Sequence, residues 1–243
     1  MKIEIFNNKG IKIKTIDQWP RPMRSNQWKD GRSAMLLADF VLNANNGNDF
    51  RELIASILRD CKIVKQNFEC EPEAKKGLGK GFGSGNRNHD LLMIGSEDCV
   101  IGIEAKVSEP FGNQSIDDII ENGDTEGKRA RAIELIKTLA PDSNRDRRQK
   151  NYQLFTALQS TLSCREKSSK FKNIIFLVIV FTGDVLKEKD YEDRCRNNNE
   201  TFKSFLEYIN ADEAGQILKG QPINCWIKKV EVEVCKSFKI LRH

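Results

Sequence analysis

The sequence predicts a single mixed α/β (α+β) domain built on a central mixed sheet flanked by helices. Three observations lead there: a pair of amphipathic helices early in the chain, two apolar strands separated by a three-residue turn, and a later helix that runs into a wholly apolar strand. A length of 243 residues suits one generous domain, and 39% hydrophobic with 31% charged residues is the composition of a folded chain with a real core. Residues 1–243 are therefore read as one domain: an N-terminal hairpin and connector (1–30), a core (31–182) and a C-terminal extension (183–243).

In chain order, Ile3 and Ile5, then Ile11, Ile13 and Ile16, flank the turn-forming Asn7-Asn8-Lys9-Gly10 and predict a β-hairpin. Trp19 to Gly31, with Pro20 and Pro22, reads as an irregular connector. From near Ser33 to Leu42, Leu37, Ala38, Val41 and Leu42 share a helical face that ends in Asn43-Ala44-Asn45-Asn46-Gly47. Asp49 is the expected cap of a second helix, Phe50 to Cys61, whose stripe is Leu53, Ile54, Ile57 and Leu58. Ile63 to Glu71 is the expected first strand. His89 to Gly95 and Cys99 to Val107 are the better two, joined by Ser96-Glu97-Asp98 and expected to pair antiparallel. Gly127 to Ala140 and Arg147 to about Ser163 carry helical stripes, and Pro141 stops the first. Ile174 to Phe181 predicts a strand buried on both faces. A short helix, Thr201 to Ile209, and a strand, Trp226 to Val234, complete the chain.

Composition excludes several classes. The longest apolar run is about eight residues against the ~20 that cross a bilayer as a helix, so no membrane partner is expected. The N-terminus has no secretory pattern, which places the expected location in the cytoplasm. Seven cysteines without a CxxC pair read as reduced thiols; a scattered zinc site at Cys225 and Cys235 has neither ligand spacing nor enough histidines to support it. A net charge of +5 tilts toward anionic partners.

The chemistry concentrates in Asp90 and in Glu104-Ala105-Lys106. A strand repeats every two residues, so Glu104 and Lys106 share one face while Ile101, Ile103 and Val107 take the other. In a hairpin, Asp90 lies near the late positions of the second strand, where two carboxylates and an ammonium converge. Two carboxylates offer hard oxygens to Mg²⁺ or Mn²⁺, and the ammonium can orient a water or stabilise developing charge. Taken alone, Glu104-Ala105-Lys106 reads first as a surface ion pair worth about 0–1 kcal/mol. The glycine-rich stretch Gly77 to Gly85 reads as a loose loop beside these residues, and no Walker lysine follows it. His89, one residue before Asp90, is expected on the opposite face in a structural role. Lys80, Arg87, Arg147 and Arg148 belong to basic clusters that either contact phosphates or form solvated surface.

The Asp90 … Glu104-Ala105-Lys106 pattern resembles the D…ExK signature of PD-(D/E)XK, restriction-endonuclease-like nucleases, and the element order resembles their αβββαβ core. Gly31-Arg32-Ser33-Ala34, Arg87 to Leu92, and Ile103 to Lys106 with Glu109-Pro110-Phe111-Gly112 look like a bacterial family of unassigned function within that superfamily. The resemblance implies metal-dependent hydrolysis of nucleic acid, DNA foremost, with Asp90 and Glu104 as ligands of Mg²⁺ (or Mn²⁺) and Lys106 as the catalytic lysine. It also implies a further acidic residue, for which Asp39, Glu52, Glu71 and Glu73 are candidates. Gln153, on the helix after the lysine strand, is a further candidate, while Tyr152 reads as packing. The alternative is a non-catalytic nucleic-acid-binding or scaffold module that retains the fold. A homodimer stays open.

Overall fold

The computed structural model describes residues 1–20, 28–29, 31–83, 86–107, 109–112, 114–140, 151–183, 186, 191–212, 215–217, 223–234 and 239–241. Among these, six α-helices surround one mixed sheet. The helices are α1 (Ser33–Leu42), α2 (Asn48–Asp60), α3 (Ile116–Asn122), α4 (Glu126–Leu139), α5 (Tyr152–Leu162) and α6 (Tyr191–Tyr208). The strands are β1 (Ile3–Ile5), β2 (Phe68–Gly77), β3 (Asn86–Gly95), β4 (Cys99–Lys106), β5 (Asn173–Thr182), β6 (Gln216–Ile217), β7 (Asn224–Glu233) and β8 (Lys239–Leu241). The spatial order is β1-β2-β3-β4-β5-β7-β6, with β8 also pairing β7.

β2, β3 and β4 form an antiparallel meander. The chain then crosses through α3, α4 and α5 to lay β5 parallel to β4, and through α6 to lay β7 parallel to β5. Parallel neighbours need such crossovers, and each leaves helices on a face of the sheet. At the strand starts, the Asn173 amide donates to Asp98 (2.8 Å) and the Asn224 amide to Asn173 (3.1 Å), pinning three adjacent strands to a common end.

Two apolar cores result. On one face Leu91, Met93, Ile101, Ile103, Ile175 and Leu177 pack against α1 and α2; on the other, Leu92, Val100, Phe176 and Val178 pack with residues of α4, α5 and α6. β5 contributes alternate residues to each and is buried from Asn173 to Phe181, as an apolar run without polar alternation predicts.

Several expectations need correction. The Asn7 to Gly10 turn is present, since the Gly10 N–H donates to the Asn7 carbonyl (2.9 Å), but the hairpin is reduced to one antiparallel bridge, Phe6–Lys12. β1 instead pairs parallel with β2, because three-residue arms hold one another weakly while the sheet edge lets Ile5 join the core. The first strand of the meander is β2, well beyond the Ile63 to Glu71 span expected; its second half is too polar to show a buried alternation. Asp49 does not cap α2: Gly47, at φ 72°, occupies that position, and Asp49 accepts from the Asn45 amide (3.1 Å). α6 is 18 residues long, not a short helix from Thr201, because its first turns expose charged side chains and show no apolar stripe. α3 was not expected. The predicted start of α5 at Arg147 and the stop at Pro141 lie outside the described residues, where Pro22 and Cys235 lie as well; Asn151 caps α5 through the Gln153 N–H (3.0 Å).

Candidate functional site

The site lies where the meander opens. The β3–β4 ladder runs from Ile94–Val100 to Leu91–Ile103 and stops; on the other side, β2 bridges β3 at Pro72–Leu91 and again at Ala74–His89, skipping Glu73 and Asp90. Glu73 sits at φ 50°, a left-handed conformation that costs a non-glycine residue energy and persists only where its surroundings enforce it. Asp90 thus has no bridge partner in either ladder. Its carboxylate turns instead to the next strand and accepts the Ala105 N–H at 2.7 Å.

Alternation along β4 puts Ile101, Ile103 and Val107 into the α1–α2 core and turns Glu104 and Lys106 the other way, as expected. Glu104, 2% exposed, is the hub. Lys106 Nζ donates to its Oε1 (2.9 Å), the Gln153 amide donates to the same oxygen, and Arg87 Nη2 donates to Oε2 (2.5 Å). Gln153 is held there by the turn after β4: the Asn151 amide donates to the Gly112 carbonyl (3.1 Å) and the Tyr152 N–H to the Gln114 carbonyl (3.1 Å). Glu109 in that turn accepts the Val107 N–H (2.8 Å).

These contacts divide the acids electrostatically. Burial would raise the pKa of Glu104, but Arg87 and Lys106 beside it hold the carboxyl well below the usual range. Asp90 is pushed the other way, by burial and then by the Glu104 charge. Burial, reinforced by Asp90 and Glu104, pushes Glu73 up to about 8. Lys106 stays protonated: burial opposes its charge, but Glu104, Asp90 and Glu109 together outweigh it.

All these groups face one cleft of about 1150 Å³, whose rim adds the cations Lys29, Arg32 and Arg131. The segments singled out in the sequence converge there. Arg32 to Ala34 opens α1 at the cleft, Arg87, Asn88 and Asp90 come from β3, Glu104 and Lys106 from β4, and Glu109, Pro110 and Gly112 from the following turn.

Of the other candidates, Glu73 and Gln153 line the cleft, and Glu52, Glu71 and Asp39 do not. Glu52 is exposed on α2, Glu71 pairs with Lys76 (3.3 Å), and Asp39 accepts from the Asn43 amide (2.9 Å). Lys80 is exposed outside the cleft, and Arg147 and Arg148 lie outside the described residues. Arg87 lines the cleft, but its partner is Glu104, which no sequence spacing announces. Lys29 and Arg131 were also missed; each is one charge in a charged segment, and only the fold aims it inward.

Two expectations are overturned. The glycine-rich stretch is not loose over residues 77–83. Leu78 and Phe82 are buried, and their carbonyls accept from the Gln159 amide (2.9 Å) and Arg131 Nε (3.2 Å), while the Gly77 carbonyl accepts from Ser163 (2.7 Å). Gly79, at φ 98°, packs on the Glu166 side chain, where an added Cβ would have no room, while Gly81 and Gly83 have open space around them. His89 does not point away from Glu104. It pairs with Ala74 of the α5-side core, and a Cβ on Gly102 would stand 3.0 Å from its ring, so the break at Glu73 and Asp90 has changed which face the strand presents. His89 is fully buried, and burial followed by the Arg87 charge pushes its pKa down to about 3, keeping it neutral. Tyr152 combines both roles, packing against the α5-side core and lining the cleft.

Among the described residues, no three His, Cys, Asp or Glu side chains gather into a ready-made metal cage. The reason is visible in the bonds: Glu104 is turned to Arg87, Lys106 and Gln153, and Asp90 to Ala105. The donor chemistry nevertheless fits a hard divalent ion. Four carboxylates line the cleft, Glu73, Asp90, Glu104 and Glu109, and the first two are held above their usual pKa by burial and by repulsion from neighbouring carboxylates, which a cation would relieve. No helix among the described residues is long and apolar enough to cross a membrane, and of the described cysteines only Cys195 is not buried.

No curated protein and no solved structure matches the chain at a significant level. Residues 12–235 match a family described as a domain of unknown function, DUF6946. Because that match spans nearly the whole chain, the protein belongs to the DUF6946 family.

Proposed function

We propose that the protein is a metal-dependent nuclease of the PD-(D/E)XK, restriction-endonuclease-like kind, hydrolysing phosphodiester bonds in nucleic acid, with DNA the favoured substrate. The observation that carries this reading is the convergence of Asp90, Glu104 and Lys106, with Glu73 and Gln153, in one cation-rimmed cleft at the splayed end of a hairpin. The helix, three-strand meander, helix and parallel strand around it follow the αβββαβ order that the motif resemblance implies.

Asp90 and Glu104, with Glu73 the acid best placed to join them, would hold Mg²⁺ or Mn²⁺. Such an ion, when bound, would supply Lewis-acid charge for phosphodiester hydrolysis. Lys106 remains protonated beside Glu104 and can donate to an attacking water or to oxygens gaining negative charge. Gln153 fixes the Glu104 carboxylate, and Lys29, Arg32 and Arg131 supply the rim with charge for a phosphate backbone.

One observation favours a second reading, a non-catalytic nucleic-acid-binding module: every Glu104 oxygen already has a donor from the protein. Incubation of the purified protein with linear duplex, circular and single-stranded DNA and with RNA, under Mg²⁺ or Mn²⁺, separates the two. Cleavage is expected, abolished by EDTA and slowed about 10²–10³-fold in Lys106→Ala. No cleavage of any substrate, with nucleic-acid binding unchanged in Lys106→Ala, would instead establish the binding module.

A further inference from the structure

Arg87 sets its guanidinium against the Glu104 carboxylate. It enters the cleft from the first residues of β3 and donates through Nη2 to Glu104 Oε2 at 2.5 Å, while Lys106 and Gln153 take the other oxygen. Its charge is felt by Glu104, Asp90 and Glu73, three of the four acids that line the cleft. Yet the guanidinium is only partly used: Nε is buried without a hydrogen-bond partner. The edge formed by Nε and Nη2 presents two parallel donors, the pattern that suits two oxygens of one phosphate, and a monodentate carboxylate contact leaves half of it idle.

We propose that Arg87 is a placeholder cation that a divalent ion displaces from Glu104, and that the released guanidinium then grips a phosphate of the substrate. The inference rests on the metal-binding reading of the cleft and adds to it the way that site is coupled to its substrate. Before metal arrives, Arg87 neutralises Glu104 and keeps the carboxylate in position. A divalent ion held by Glu104 would carry twice the charge, and Arg87, tethered by its own strand, would stay in the cleft with both edge donors free. By linkage, whatever the Arg87–Glu104 pair contributes to holding the empty site is subtracted from metal affinity, so metal and phosphate assist one another.

Isothermal titration calorimetry with Mn²⁺ alone, on the wild type, Arg87→Gln and Arg87→Lys, tests this, with circular dichroism to establish that each variant is folded. Arg87→Gln is expected to bind Mn²⁺ about tenfold more tightly than the wild type while cleaving more slowly. Arg87→Lys keeps a competing charge but lacks the planar fork. It is expected to bind Mn²⁺ like the wild type and to lose cleavage, a check that survives if Arg87→Gln does not fold. Arg87→Gln binding Mn²⁺ no more tightly than the wild type, or Arg87→Lys cleaving at the wild-type rate, overturns the proposal. Failure of the wild type to cut any nucleic acid removes the hydrolytic reading instead, and the Mn²⁺ affinities still decide the role of Arg87.

Discussion

Glu104 is the residue on which the site turns, and its surroundings make it structural as well as chemical. It is 2% exposed, and two cations lean on it from Arg87 and Lys106. Removing the carboxylate strands both charges in a half-dry cleft, so Glu104→Ala is expected to lose about 3–5 kcal/mol of stability in urea unfolding. Glu104→Gln keeps an acceptor oxygen and should lose less; equal losses would mean that packing, not charge pairing, sets the cost. The pairing of Glu104 with Lys106 was legible because strand geometry puts alternate residues on one face. The partnership with Arg87 was not, and neither was that with Gln153, which comes from 49 positions away. Among the candidate acids the sequence could not choose, since nothing local marks Glu73, rather than Glu71, as the residue at which β2 breaks.

At the scale of elements, the contact between β4 and α5 holds the back of the site together. An added Cβ at Gly102 would lie 2.2 Å from Thr161 Oγ1 and 3.0 Å from the His89 ring. Gly102→Ala is therefore expected to destabilise the protein by about 1–3 kcal/mol in urea unfolding, and a Gly102→Ala, Thr161→Ala double variant to recover part of it. Additive losses would show that the crowding lies elsewhere. Gly102 gave no sign of this in the sequence, where it reads as a gap in an apolar strand. β5 was legible because its apolar run is unbroken, and β4 because its apolar residues continue on alternate positions past Glu104 and Lys106; the stripes of α1, α2, α4 and α5 were legible too. β2 and α6 escaped because their surroundings reward other patterns: β2 meets the cleft at Glu73 and carries Lys75 and Lys76 beyond it, and α6 exposes its first turns. The glycine-rich stretch misled for the opposite reason. Its glycines suggest freedom, but Leu78 and Phe82 between them are anchored in the α5-side core.

For the molecule as a whole, the acids of the cleft whose pKa burial raises should appear in its pH dependence. Glu73 has a pKa of about 8 in the fold against 4.5 ordinarily, so between those values the native state holds more protons than the unfolded chain. Its favourable contribution is complete below the unfolded value and disappears as pH rises through the folded one. Tm is accordingly expected to fall between about pH 5 and pH 8.5, by less in Glu73→Gln. Mg²⁺ should reverse the loss: at roughly a hundredfold excess over Kd it contributes about 2.7 kcal/mol, a Tm rise of several degrees, larger at the higher pH. A pH profile unchanged by Glu73→Gln, or Mg²⁺ without effect at either pH, would contradict the link between these acids and a metal. The sequence by itself determined the local matters: the class of fold, the main helices and central strands, and the Glu104–Lys106 pair, because these follow from periodicities within one segment. Only the tertiary structure decided the long-range ones, namely that Glu73 joins Asp90, that Arg87 and Gln153 hold Glu104, and that the glycine-rich stretch is tied to α5. Those depend on where two ladders break and on side chains meeting across distant segments, and no local pattern encodes either.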